Sequence, residues 1–149
     1  MIIQHAPFDK YRAEVERLMV PHWHEVAKHK DRMVLAPDWD KYAALEAQGK
    51  LFVVYVLDDD YNLLGYSFNF LDTHIHYKDL LVANNDAIYV SPAARNSMAG
   101  LRLIKATKLG AAALGAKLML WHAKQGSALD KLFIAKRLQV QDTIYSEPL

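Results

Sequence analysis

Ile88-Tyr89-Val90-Ser91-Pro92-Ala93-Ala94-Arg95-Asn96-Ser97-Met98-Ala99-Gly100-Leu101-Arg102-Leu103-Ile104 is the stretch that decides the fold. Ala87 to Val90 is apolar and partly β-branched, which predicts a strand, and Ser91-Pro92 closes it. From about Met98 to Leu114 apolar residues recur at helical spacing, with Leu101, Ile104 and Ala111 expected inward and Gly115 as the stop. A strand that turns through a short loop into a helix leaves the first helical amides without carbonyl partners, at the positive end of the dipole. The small side chains around Arg95 to Gly100 let an anion such as a pyrophosphate come close to those amides.

Downstream, Lys117 to Ala123 reads as a strand, and Ser127-Ala-Leu-Asp130 has the form of a capping box opening a last helix through Leu129, Leu132 and Phe133. Val140 to Tyr145 is expected to be a short terminal strand. Upstream, Leu51 to Leu57 is apolar on both parities, as in a strand covered on both faces, and Asp58 to Asn62 is a turn. The return strand begins near Leu63, with Tyr66, Phe68 and Phe70 on one face and Gly65, Ser67 and Asn69 on the other. Asp72, His74 and His76 continue the aromatic parity. Before this hairpin, Ile2 to Gln4 is a first strand, and Pro7 suits the first turn of a helix carrying Phe8, Tyr11, Val15, Leu18 and Met19. Pro21 is expected to interrupt it, leaving a second piece from Trp23 to His29. A third helix opens after Asp38 as N-cap and stops at Gly49, with Tyr42 and Leu45 inward. The hairpin implies antiparallel pairing and the later strand–helix–strand a right-handed parallel crossover, so the sheet should be mixed.

The 149 residues, 52% of them hydrophobic, suit one globular domain and exclude disorder. The absence of cysteine removes disulfides, thiolate metal sites and a Cys nucleophile, and no run of about 18 apolar residues suggests a membrane span. The net charge of +1 conceals an asymmetry: nine basic residues against Asp130 between Arg95 and Arg137 give +8, and the other residues carry −7. A polyanionic cofactor fits the basic part and a cationic second substrate the acidic part. No G-x-S-x-G, P-loop or G-x-G-x-x-G occurs, so the serine hydrolase, P-loop nucleotidase and dinucleotide-binding classes have no marker here.

The stretch quoted first resembles the cofactor motif of the GCN5-related N-acetyltransferase (GNAT) superfamily, a strand ending V-x-P followed by Arg or Gln-x-x-Gly-x-Gly or Ala. Val90, Pro92, Arg95 and Gly100 match in place and spacing, and Met98 stands where the first glycine normally lies. The resemblance covers nearly the whole chain. His22-Trp23-His24-Glu25, Pro37-Asp-Trp-Asp40 and Tyr145-Ser-Glu-Pro-Leu149 also resemble compact acetyltransferases encoded by bacteriophages. The implied fold is α/β, with residues 1–149 as a single N-acetyltransferase domain whose mixed β-sheet is flanked by helices in the order β-α-α-β-β-β-α-β-α-β. The implied activity is direct transfer of an acetyl group from acetyl-CoA, as co-substrate, to an amine in a ternary complex. That amine would be a small polyamine, a protein lysine or an amino-modified base. A cytoplasmic location, the host's for a phage protein, goes with it, as does a homodimer. The competing class is a binding or virion-associated module that keeps the fold without the chemistry.

The resemblance assigns the cofactor to Ile88, Tyr89 and Val90 and to Arg95, Asn96, Ser97, Met98, Ala99 and Gly100, with a backbone N–H near Val90 facing the thioester oxygen. An alkylammonium must lose a proton before it attacks, so a base is needed. Asp86, read as sharing parity with Ile88 and Val90, is the first choice, and Asn84 cannot serve. For the leaving thiolate the family often supplies a Tyr after Leu on the last helix, but this chain has Leu132-Phe133; His122 is the substitute, Tyr145 a more distant one. His24 and His29 are five apart, about 140° around a helix, so no zinc-protease pair exists. His74 and His76 share a strand face and would need a third ligand from His22, His24 or Asp72 to hold a metal. The reading preferred is no metal, with Trp23, His24, Glu25, His74 and His76 lining the acceptor pocket.

Overall fold

Leu51-Phe-Val-Val-Tyr-Val-Leu57 has no polar face, and in the computed structural model, which describes residues 1–149, all seven are buried as strand β2. Such a strand must be covered on both faces. β2 pairs antiparallel with β1 (Ile2–His5) and β3 (Leu63–His74); β3 pairs antiparallel with β4 (Tyr77–Val90), and β4 parallel with β5 (Leu118–Trp121). The mixed five-stranded sheet thus runs in sequence order. Helices α1 (Arg12–Val26) and α2 (Trp39–Ala47) cover one face over Val53, Tyr55, Tyr66 and Phe68, and α3 (Ala99–Ala113) covers the other over Val54, Val56 and Ala83. In α4 (Ala128–Ala135), Ser127 accepts the Asp130 N–H at 3.2 Å in the expected cap, and Phe133 packs on Trp121 with ring centroids 5.4 Å apart. Gly65 lies so close to β4 that a Cβ there would stand 2.4 Å from the Tyr89 carbonyl oxygen. Only glycine permits that approach.

Five expectations are corrected. Pro21 does not interrupt α1, which runs through it to Val26. The N–H that proline lacks costs one bond to Arg17, but side-chain contacts beyond it hold the helix: His22 Nδ1 lies 2.9 Å from the Tyr66 hydroxyl and Glu25 pairs with Arg95. Pro7 precedes a turn rather than a helix, because the Phe8 N–H donates to Glu46 and both the Pro7 and Phe8 carbonyls accept from the Tyr55 hydroxyl. On α3, Ala111 is buried as expected, but the residues buried with it are Ala99, Leu103 and Thr107, while Leu101 is exposed and Ile104 half-buried. The inward face is set by these four-residue steps against β2 and β3, a few tens of degrees from the expected one. The terminal strand is absent: residues 139–149 have no regular structure and Val140 and Ile144 are exposed. Asp142 breaks their apolar parity, which leaves too little surface to hold an edge strand. The β3–β4 hairpin, in turn, is longer than expected, since Tyr77 to Asp86 extends the strand read only from Ala87.

Candidate active site

β4 loses one of its two neighbours partway along. Its last pairing with β5 is Asn85 with Trp121, so from Asp86 to Val90 one edge is open. At the same point Phe68 of β3 faces Ala87 and Asn69 faces Asn85, which leaves Asp86 as a bulge with no cross-strand partner. The bulge corrects the parity reading. Ile88 and Val90 pack on the α3 side, whereas Asp86 turns to the α2 side, where the Tyr42 hydroxyl donates to its Oδ2 at 3.4 Å.

Backbone accounting shows what the open edge offers. The Ser91 N–H donates to the Leu64 carbonyl at 2.8 Å, and two-residue alternation then turns Tyr89 and Ala87 to β3 as well. The N–H and C=O groups of Ile88 and Val90 therefore point over the open edge. The Val90 carbonyl accepts from Arg95 Nε at 3.0 Å, and its N–H stays free. In the loop that follows, the amides of Asn96, Met98, Gly100 and Leu101 find no acceptor in the protein, whereas Ala99 donates to Ser97 Oγ. At Gly100 an added Cβ would meet nothing nearer than Val90 Cγ2 at 4.0 Å. Free amides, a helix start and open space suit a phosphate group. Met98 is exposed and does not fill that space.

Arg95 faces the other way. Its guanidinium makes two bonds to Glu25 of α1, at 2.9 and 2.8 Å, and lies over the Tyr89 ring. Beside it His22 stacks on Tyr89 at 4.7 Å; burial lowers its pKa to about 4, against the pull of the Glu25 carboxylate and with the help of Arg95. His22 is thus a neutral packed side chain.

Asp86 opens into a cleft of about 500 Å³ between α2 and the sheet, lined by Tyr42, Leu45, Phe70, Lys50 and Asp72 among others. Although its surface is exposed, the protein around it withdraws enough water to raise its carboxyl above the usual range; the Tyr42 hydrogen bond and the charge of His122 pull the other way. His122 follows directly on β5 and its charge acts on Asp86, but no hydrogen bond or ion pair joins the two side chains. Tyr42 is pushed up to about 12 by burial and by Asp86. Its ring is packed between Phe8, Trp39, Phe68 and Phe70.

The five residues expected to line the acceptor pocket are not brought together. Trp23 donates to the Met33 carbonyl, His24 lies at its edge, and Glu25 is held by Arg95. His74 and His76 lie at the β3–β4 turn, twelve residues of strand from Tyr89, roughly 40 Å along β4. None of the five lines the cleft. Tyr145 is almost fully exposed in the C-terminal segment. The cleft residues Tyr42, Phe70 and Asp72 were visible only in part: Tyr42 as an inward helix position, Asp72 as a charge on the aromatic parity of β3.

No protein-family model matches the chain, and no curated protein matches it either. Solved structures do. A tetramutant of the BH1408 protein from Bacillus halodurans superposes with a TM-score of 0.80 over 100% of both chains at 16% identity. An aminoglycoside acetyltransferase from an uncultured soil metagenomic sample, solved with trehalose, gives 0.76 over 99% of this chain and 95% of its own at 14% identity. A ribosomal-protein-alanine N-acetyltransferase from Brucella melitensis biovar Abortus 2308 gives 0.71 over 100% of both chains at 15% identity. The fold is that of acetyltransferases, in which this α/β arrangement recurs at low sequence identity.

Proposed function

We propose that the chain transfers an acyl group, acetyl by preference, from a coenzyme A thioester to a primary amine in a ternary complex. The observation that carries the reading is the coincidence at Asp86: the bulge, the fork between β4 and β5 and the inner end of the α2 cleft meet at one carboxylate. The free amides from Asn96 to Leu101 would hold the pyrophosphate, and the open edge at Ile88 and Val90 would run beside the pantetheine arm. The Val90 N–H stabilises the carbonyl oxygen as it gains charge. Asp86 takes the ammonium proton, a role its raised pKa suits, and His122 can protonate the departing thiolate. Phe133 is packed on Trp121, so no hydroxyl comes from the last helix. The fold shared with solved acetyltransferases supports the same reading.

Asp86→Asn tests it. Turnover, followed as thiol release from acetyl-CoA, should fall about 10²- to 10⁴-fold below the amine's pKa. The loss should shrink as pH rises past that pKa, because the amine then arrives unprotonated. A pH profile identical to that of the unaltered protein removes Asp86 as the base.

A further inference from the structure

We propose that the α2 cleft selects a primary monoamine on an apolar or aryl stem and discriminates against polycations, with Lys50 as the residue that enforces the choice. This rests on the acyl-transfer reading and specifies its acceptor. The cleft's walls decide the stem. Tyr42 and Phe70 lie nearly parallel, 6.2 Å between centroids with 19° between planes, and Leu45 continues the same wall. A flat ring or an extended alkyl chain leading away from Asp86 would be covered along its length.

The charges decide how many ammonium groups the cleft accepts. Three carboxylates and two ammonium groups reach it: Asp38, Asp72 and Asp86, with Lys41 and Lys50. Lys50 Nζ holds Asp72 Oδ2 at 3.0 Å, so that pair is neutral toward a ligand. Asp38 caps α2 by accepting the Lys41 N–H at 3.0 Å, at a helix start that already stabilises negative charge, with the Lys41 side chain one turn on. Asp86 has no cation within 4 Å, and its one hydrogen-bond partner is the Tyr42 hydroxyl. One ammonium group is therefore matched. A second on the same molecule would meet Lys50 and Lys41 and no uncommitted carboxylate.

The test measures kcat/KM for thiol release from acetyl-CoA with an n-propylamine to n-pentylamine series, 2-phenylethylamine and spermidine at equal concentrations. The expected result is a rise of about fourfold per added methylene, with 2-phenylethylamine at least tenfold above spermidine. In Lys50→Gln, which frees Asp72, the spermidine to 2-phenylethylamine ratio should rise at least fivefold. Both side chains of the pair are exposed, so the variant should fold. Spermidine equal to or faster than 2-phenylethylamine, or an unmoved ratio in Lys50→Gln, overturns the selectivity and leaves acyl transfer standing. Thiol release with none of the amines counts against acyl transfer itself; calorimetric titration of 2-phenylethylamine and spermidine then still decides the selectivity, which fails if spermidine binds as tightly.

Discussion

The two ends of β4 contrast sharply. At the Val90 end the strand has lost β5, carries a bulge, and sits between an open backbone edge and a cleft; at the Tyr77 end it is half of a hairpin whose turn bears a half-buried His74 and an exposed His76. The residue types at the hairpin turn invite a chemical role, yet nothing converges on them. At the other end the side chains are plainer, an aspartate and a run of amides, and three elements meet there. Chemistry follows convergence rather than composition.

The histidines sharpen the contrast first. His22 has an unfolded-state pKa near 6.5 and a folded value lowered to about 4, so the unfolded chain binds the proton more readily. The stability it confers is complete above pH 6.5 and is lost as pH falls toward 4, about 3 kcal/mol in all. Urea unfolding across that range should show the loss, and His22→Gln should flatten it. A smaller effect belongs to the loop proposed to hold the cofactor: Gly100→Glu places a carboxylate where the phosphates would lie and should weaken coenzyme A binding by roughly 10- to 100-fold. Unchanged affinity by calorimetry would place the anion elsewhere. The smallest effect belongs to the hairpin turn, where His74→Ala with His76→Ala should leave kcat/KM within about twofold. A large loss would mean that the two ends of β4 are coupled after all.

Much of the fold was legible because its signals are local. The both-parity run at Leu51 to Leu57, the caps at Asp38 and Ser127 and the turn at Asp58 to Asn62 each stand in the structure where the sequence puts them. What was not legible depends on partners distant in sequence. Pro21 is tolerated because of Tyr66 and Arg95, and the side on which Asp86 emerges is set by a bulge against Phe68 that no single strand reveals. The strand end, turn and helix start from Val90 to Gly100 were readable because they are contiguous there. The cleft was not, because it is assembled from α2, β3 and the bulge of β4, whose residues are spread along the chain from Pro37 to Asp86.

Thermal unfolding with and without acetyl-CoA tests the central claim most directly. At 100 times its dissociation constant the ligand should stabilise the fold by about 2.7 kcal/mol, which for a chain of this size raises Tm by roughly 8 °C. An upward shift of that order that Gly100→Glu reduces is the predicted result. No shift at millimolar acetyl-CoA would contradict the account and leave an acetyltransferase fold that serves as a binding module.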